Sequence, residues 1–271
     1  LSVIEQEMNG SPGLIYMESV AQANGTGSIT LSFETGTDAA LAQVDVQNRL
    51  SRASPRLPAA VTQQGVRVDR SRSNFLLFAI LSSDDPAWDP VALGDYASRS
   101  VVPELQRLPG VGQAQLFGTE RAMRIWIDPA KLLGFNLSAA DVTNAIRAQN
   151  AQVSAGEIGA LPNVGGQSIA ATVVVNGQLA SVEQFGNVVL RASADGATVR
   201  LKDVARIELG AQAYATSARL NGKPSTGIGV QLSPSGNALA TADAVRAKMT
   251  ELEKFFPKGM TWSIPYDSSK F

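Results

Sequence analysis

The chain has 271 residues, 44% of them hydrophobic, with 23 Lys and Arg against 24 Asp and Glu and neither Cys nor His. Near-zero net charge removes the cation surplus that nucleic-acid phosphates demand, and the missing thiols and imidazoles exclude disulfides, cysteine nucleophiles, histidine acid–base chemistry, Ser-His-Asp triads and zinc sites built on those ligands. The longest apolar run, 75–81, is far short of the roughly 18–20 residues that span a bilayer, while the length suits about two domains.

Residues 2–9 read as the end of a helix, with Val3, Ile4 and Met8 on one side and Gly10 at a left-handed C-cap. The chain opens within helix-like sequence and without a leader, so it reads as a piece of something longer. Strands are predicted at 14–21 and 28–34, the second alternating Ile29, Leu31 and Phe33 with Ser28, Thr30 and Ser32, and Asn24-Gly25 signals a hairpin turn between them. Asp38 caps a helix to about Arg52 with Leu41, Val44 and Leu50 as its apolar face; Pro55 and Pro58 stop it, and 64–68 returns as a strand. Helix, strand, strand, helix, strand is a split βαβ order that lacks its opening strand.

The pattern then repeats. A dense strand at 75–81 leads through Asp84-Asp85-Pro86 to a helix at 90–108, striped by Val91, Val101, Leu105 and Leu108, and to a strand at 113–117. Pro103 must kink or break that helix. From 120 to 210 the grammar changes: a strand at 121–128, a helix opened by Ser138 and Asp141 and carrying Val142 and Ile146, then Gly-rich sequence at 155–166 flanked by strand-like 149–154 and 169–175. That stretch suggests a long arm whose tip is too small and polar to hold a core. Strands at 199–201 and 204–209 follow. The split pattern resumes with strands at 214–220 and 226–232 around Asn221-Gly222, a helix carrying Leu239, Ala242, Val245, Met249, Leu252 and Phe256, and a strand at 260–266. The fold class is therefore α+β, and the second α/β unit is discontinuous, with the middle segment inserted into it.

The stretches IEQEMNG, FETGTD, VQNRL, GVGQAQLFG, RAMRIWIDP, AIRAQNAQVSAGEIG, DVARIELG and PYDSSKF, in this order and spacing, resemble the periplasmic part of the first half of resistance-nodulation-division (RND) multidrug efflux transporters of the hydrophobe/amphiphile class, the acriflavine-resistance type of inner-membrane pump. The resemblance covers essentially the whole chain. It implies two ferredoxin-like porter subdomains, an incomplete first at 1–71 and a second at 72–119 and 212–271, with a docking subdomain at 120–211. It implies that the arm at about 149–167 enters a neighbouring protomer of a homotrimer, with Gln152, Val153, Gly156, Ile158 and Pro162 as contact residues. Hydrophobic or amphiphilic drugs, a periplasmic adaptor and an outer-membrane channel are the implied partners; no cofactor, metal, nucleic acid or enzymatic activity is. The segment would sit on the periplasmic side of the inner membrane, and the proton-coupling residues would lie outside it.

By the same resemblance, Phe75 and Phe117 match phenylalanines that line the family's deep substrate pocket, and Phe78, Tyr266, Gln115, Asp69 and Ser73 match further pocket positions. The physical sense is that amphiphiles of unrelated shape share only apolar and aromatic surface, so rings serve a promiscuous site better than directional polar groups. Ala213, Ala215, Thr216 and Arg67 depart from the better-known pattern, so Thr216 and Arg67 are expected to alter the preference of the same site. Read without the resemblance, Phe75 and Phe117 are core aromatics, and the arm is a mobile surface loop.

A second reading makes the segment chiefly an assembly module for trimerisation and channel docking; a third, a carboxylate or metal-ion enzyme, has little in the sequence to support it. Gly110-Val111-Gly112 lacks the third glycine of a dinucleotide fingerprint and follows a helix instead of a strand. Gly227-Ile228-Gly229, inside a strand, marks close backbone approach or a bulge. Asp84, Asp85 and Asp89 lack the spacing of a calcium loop, and the sequons at Asn24 and Asn136 receive no role.

Overall fold

The first helix, α1 (Ser2–Met8), ends in a turn, with Asn9 extended at ψ 132°, Gly10 at φ 79° and the Ser11 amide donating to the Met8 carbonyl at 3.1 Å, in place of the left-handed C-cap expected at Gly10. The molecule is described by a computed structural model covering all residues except 24, 73, 152–156, 159–170, 173–176, 193–195, 215–217 and 271, with backbone alone at 157, 158, 171 and 172. It divides into two compact units, Leu1–Gly118 with Thr216–Phe271, and Thr119–Ala215.

In the first unit, β1 (Leu14–Ala21) and β2 (Gly27–Phe33) form an antiparallel hairpin, with Gly25 at φ 85° in its turn. Asp38 accepts from the Ala40 and Leu41 amides and opens α2 (Ala39–Ala53). Met8, Val46 and Leu50 are buried together, with Ile4, Met17, Leu31 and Phe33 packed on them. Arg49 donates to the carbonyls of Glu7, Asn9 and Gly10, so one guanidinium satisfies the orphan acceptors around the end of α1. Two expectations fail here. Leu41 and Val44 are exposed, and the buried face of α2 is Val46, Leu50 and Ala53, because a short amphipathic pattern does not say which side the hairpin covers. The strand expected at 64–68 is absent: a short helix, α3 (Ala59–Gln64), ends at Gly65 with φ 81°, and no strand is assigned at 65–70.

β3 (Phe75–Ser83) leads to α4 (Pro90–Tyr96), capped by Asp89 through the Ala92 amide. The helix expected at 90–108 is interrupted, as Pro103 required: a π-helical turn (Ala97–Val101) precedes α5 (Val102–Gln106), since Pro103 has no N–H for the carbonyl one turn back. The wider turn sets Leu93, Ala97, Val101 and Leu105, all buried, four apart along one face. β4 (Val111–Phe117) follows.

The second unit comprises β5 (Arg121–Ile127), α6 (Pro129–Gly134), α7 (Ala139–Gln149), β6 (Glu157–Ile158), β7 (Ala171–Thr172), α8 (Val182–Gly186), β8 (Val189–Ala192), β9 (Thr198–Arg200), α9 (Leu201–Val204) and β10 (Ala205–Ala211). β5 pairs antiparallel with β10, and β8 with β9, around buried Leu132, Val142, Val188, Leu201 and Val204. Ser138 and Asp141 close the expected capping box on α7. Residue 149 is not the start of a strand: Gln149 ends α7, with its amide bonded to both backbone groups of Val189. Leu201 likewise opens a helical turn and does not end a strand.

The chain returns to the first unit with β11 (Ala218–Leu220), β12 (Lys223–Leu232), α10 (Ala238–Glu253) and β13 (Met260–Asp267). Tyr214, expected to start a strand here, lies outside β11. In the five-stranded sheet β12 is central, flanked on one side by β3, which then pairs with β13; β11 and β4 also pair with β12, and every pairing is antiparallel. One face carries Leu77, Ala79, Leu81, Ala114, Ile228 and Val230 and packs on Val101, Leu105, Ala242, Val245 and Met249 of the helices. Leu239, expected in the α10 stripe, is exposed in the first turn of that helix.

Candidate functional site

The opposite face of the sheet is built by three irregularities. In a regular strand Phe75 and Phe78 would point to opposite faces, since side chains alternate. Val230 pairs with Leu77 and Gln231 with Phe75, so Leu76 is an extra residue in β3; Leu76 and Leu77 both turn into the core and Phe75 comes round beside Phe78. The ladder between β13 and β3 shifts between Ser263 and Tyr266, an extra residue at Ile264-Pro265 that leaves Tyr266 opposite Phe78. Proline is tolerated at such a bulge because no ladder donor is needed there. A third shift, at Gly112, occurs in β4.

The result is a contiguous aromatic cluster. Ring centroids are 4.8 Å apart for Phe75 and Phe78, 5.5 Å for Phe75 and Phe117, 5.5 Å for Phe78 and Phe117, and 5.9 Å for Phe78 and Tyr266, all tilted or edge-on. Such pairs are worth about 0.5–1.5 kcal/mol each beyond area burial. The rings are not sealed: Phe117 is 37% exposed and Tyr266 48%, with Phe75 and Phe78 half-buried. These four expected site residues are therefore brought together on one surface, and neither Phe75 nor Phe117 is among the buried residues of the sheet's core.

Gln115, exposed, faces Gly229 across the β4–β12 ladder. Asp69 and Arg67 pair with each other at 2.9 Å, and Gln113 donates to Asp69 at 3.4 Å. Asp69 also lines a cavity of about 760 Å³ in the same unit, with Thr37, Gln43, Arg70, Gln106 and Ser233. Ser73 and Thr216, and in the arm Gln152, Val153, Gly156 and Pro162, lie outside the described residues; Ile158 pairs through its backbone with Ala171.

Behind the aromatic face, Asp267 is held by Arg246 and by the Ser269 amide and hydroxyl at 2.9 and 2.6 Å. The Ser268 hydroxyl donates to the carbonyl of Leu76, the bulged residue, at 2.9 Å. The turn after β13 thus fixes both Tyr266 and the bulge that presents Phe75. Reading side chains in isolation misses this network, since Asp267 and Arg246 carry no motif.

A second aromatic arrangement, also unannounced by the sequence, lies in the other unit. On one face of the β5–β10 ribbon the Arg124 guanidinium stands 5.0 Å from the Trp126 ring and 5.4 Å from Tyr214, and Arg206 stands 5.7 Å from Trp126. The Trp126 indole donates to Glu208 at 2.7 Å, Arg206 pairs with the same carboxylate, and Arg124 donates to the Gln212 carbonyl.

The residues set aside have plain structural duties. Asp85 accepts from Ala87, Asp89 caps α4 and Asp84 pairs with Lys223. Gly112 lies where a Cβ would meet the Arg70 and Leu232 carbonyls at 2.5 and 2.6 Å. Among the described residues no cluster of Asp and Glu is placed to hold a metal, and no helix is long and apolar enough to cross a membrane.

The chain is thus an α+β protein that carries an open face of aromatic rings. All of residues 1–271 match the AcrB/AcrD/AcrF family, and the chain belongs to it, among the RND multidrug efflux transporters. It is 46% identical over 269 residues both to multidrug resistance protein MdtF and to multidrug export protein AcrF of Escherichia coli, and 44% identical to the toluene efflux pump membrane transporter TtgB of Pseudomonas putida. Each alignment covers 99% of this chain and 26% of the relative, so the chain spans about a quarter of their length.

Proposed function

We propose that this chain is the periplasmic substrate-binding and docking portion of a proton-driven transporter that exports amphiphilic drugs. The observation that carries the reading is the aromatic face: Phe75, Phe78, Phe117 and Tyr266 on one side of a sheet, partly exposed, in a family of multidrug transporters. Three hydrocarbon rings and a phenol offer dispersion and stacking without a fixed pattern of donors, which suits guests that share only apolar surface. The Gln115 amide and the Arg67–Asp69 pair supply adjustable polar contacts near that face, with Ser73 and Thr216 assigned to the same site.

The strand order supports reading the sheet as a split βαβ porter unit. β3 and β4 flank β12 and are joined through helix, and β12 and β13 flank β3 and are joined through α10. We assign 1–71 to a first porter subdomain, 72–119 with 212–271 to a second and 120–211 to the docking subdomain. In the full-length transporter, drug rests on the rings in a cleft and leaves when rigid α/β units rock together, a hinge or shear motion. Proton binding, at groups outside this chain, drives the cycle by favouring one arrangement over another. The arm at 149–167 reaches a neighbouring protomer, and a periplasmic adaptor and outer-membrane channel complete the assembly. The site works by binding and release, without bond-making chemistry.

The test uses the full-length transporter that contains this segment. Phe75→Ala with Phe117→Ala should weaken binding of a fluorescent apolar dye, 1-N-phenylnaphthylamine, and lower its export at unchanged protein level. Unaltered dye affinity and export in that double variant would refute the substrate role. Deleting 154–165 should destabilise the trimer in sedimentation; an unchanged trimer removes the assignment of the arm.

A further inference from the structure

We infer that Gly229 is a positioning residue for the aromatic site: its missing side chain is the seat on which Phe75 and Phe117 rest, and thereby a determinant of which guests the face accepts. The inference rests on the substrate role proposed above and deepens it.

Gly229 sits mid-strand in β12, between Phe78 on β3 and Gln115 on β4. Its φ is outside the left-handed region, so the backbone has no need of glycine, and glycine weakens a strand interior by its entropy and lack of packing. What the position needs is space. A Cβ built there would lie 2.7 Å from Cε1 and 2.8 Å from Cδ1 of Phe75, and 2.8 Å from Cε2 of Phe117, distances that real Cβ atoms do not adopt. Phe75 pairs with Gln231 and Phe117 with Gly227, two residues to either side of Gly229. The rings therefore lean diagonally towards each other from opposite strands and meet over the bare backbone, edge to face at 5.5 Å.

Gly227, two residues away, differs. A Cβ there would lie 3.1 Å from the flexible end of Ile80 and 3.7 Å from Phe117 Cβ, which a rotamer change can absorb. The two glycines look alike in sequence and have unequal duties. With any side chain at 229 both rings must lift or splay, the Phe75–Phe117 edge contact opens and the floor of the site becomes convex. Planar aromatic guests that stack on those rings lose most by this, and non-aromatic amphiphiles that only cover apolar area lose least.

The experiment compares export of ethidium, planar and aromatic, with export of taurocholate, amphiphilic and non-aromatic, by the full-length transporter. Gly229→Ala should raise the half-saturating ethidium concentration roughly 2- to 10-fold, the size of one lost ring contact, with maximal rate preserved and taurocholate shifted less. Gly227→Ala should shift ethidium less than Gly229→Ala. Adding Phe75→Leu to Gly229→Ala removes the Phe75 part of the overlap and leaves only the contact with Phe117, so Gly229→Ala should shift ethidium less in the Phe75→Leu background than in the native one; this double variant carries the test if Gly229→Ala accumulates poorly. Equal shifts for both compounds, no shift for either, or a Gly229→Ala effect as large in the Phe75→Leu background as in the native one would overturn the inference. If Phe75→Ala and Phe117→Ala also leave ethidium unmoved, the substrate role itself falls, which is a separate result.

Discussion

The aromatic face of the five-stranded sheet and the aromatic ladder on the β5–β10 ribbon are two solutions to one problem, the exposed side of antiparallel strands. Both rest on a glycine: Gly229 lies under Phe75 and Phe117, and a Cβ at Gly210 would lie 2.8 Å from the Tyr214 hydroxyl and 3.2 Å from Arg124 Cγ. They differ in what fills the surface. The ladder alternates rings with guanidinium groups, and its indole and guanidinium donors reach Glu208 and Gln212, so its rings, although Trp126 is 41% and Tyr214 62% exposed, are already engaged by cations. The sheet face has rings against rings, with edges and faces left for another apolar body. A surface whose rings are engaged by its own cations reads as a wall, and the one whose rings meet only rings is the site we propose.

The comparison can be broken at four places. The largest effect is expected at the support of the sheet face. Arg246→Ala leaves the Asp267 carboxylate, whose side chain is 4% exposed, without its cation and should cost about 2–3 kcal/mol in urea unfolding. That is below the usual range for a buried pair because Arg246 is itself 31% exposed, so water screens it. Hydrogen exchange should quicken around β13 and the Leu76 bulge and stay as it was in β5 and β10; a loss under about 0.5 kcal/mol means the network supports nothing.

Trp126→Ala should destabilise the ribbon by about 1–2 kcal/mol, from two cation–π contacts and the hydrogen bond to Glu208, whereas Trp126→Phe keeps the stacking and should cost roughly half as much. Equal costs for the two variants would leave the ladder without energetic meaning. Smaller again is Phe78→Leu, expected to change stability by less than about 1.5 kcal/mol while weakening 1-N-phenylnaphthylamine binding by the full-length transporter. Trp126→Leu should leave dye binding alone. If the two variants alter dye binding alike, the distinction between wall and site is lost.

The smallest effect is a pH dependence confined to the second unit. Hydrogen bonds from the Ser138 hydroxyl and amide hold the Asp141 carboxyl below its ordinary value. A depressed folded-state value means that the cap's contribution is complete above the ordinary aspartate range and fades as pH falls through the lowered value. Asp141→Asn, which cannot ionise, should therefore lower the second unit's stability slightly near neutrality, leave it unchanged at low pH and so flatten the acid limb of its unfolding curve. An identical acid limb in both proteins would remove Asp141 from the account.

Much of the architecture was legible because it is written in local chemistry. Asp38 and Ser138 each open a helix where a short polar side chain precedes an apolar stripe, and Pro103 breaks a helix because it lacks a donor. The stripe Ala242, Val245, Met249 found its core because its spacing matches the helical turn. The misses come from context. A helix pattern alone does not reveal where the hairpin lies, so it points Leu41 and Val44 inward although both are exposed, and the apolar residues of 64–68 suggest a strand although 59–64 form a helix that stops at Gly65.

The site divides in the same way. The presence of Phe75, Phe78, Phe117 and Tyr266, and the resemblance that marks them, belong to the sequence, as does the pair of glycines inside a strand that signalled a close approach. That the four rings share one face was settled only in three dimensions. Alternation along a strand would have put Phe75 and Phe78 on opposite sides, and the extra residues at Leu76 and at Ile264-Pro265 reverse that parity. A ladder's register is a property of two strands at once, set by how their neighbours pack and by partners such as Ser268 on the Leu76 carbonyl, so no single strand's residues could contain it.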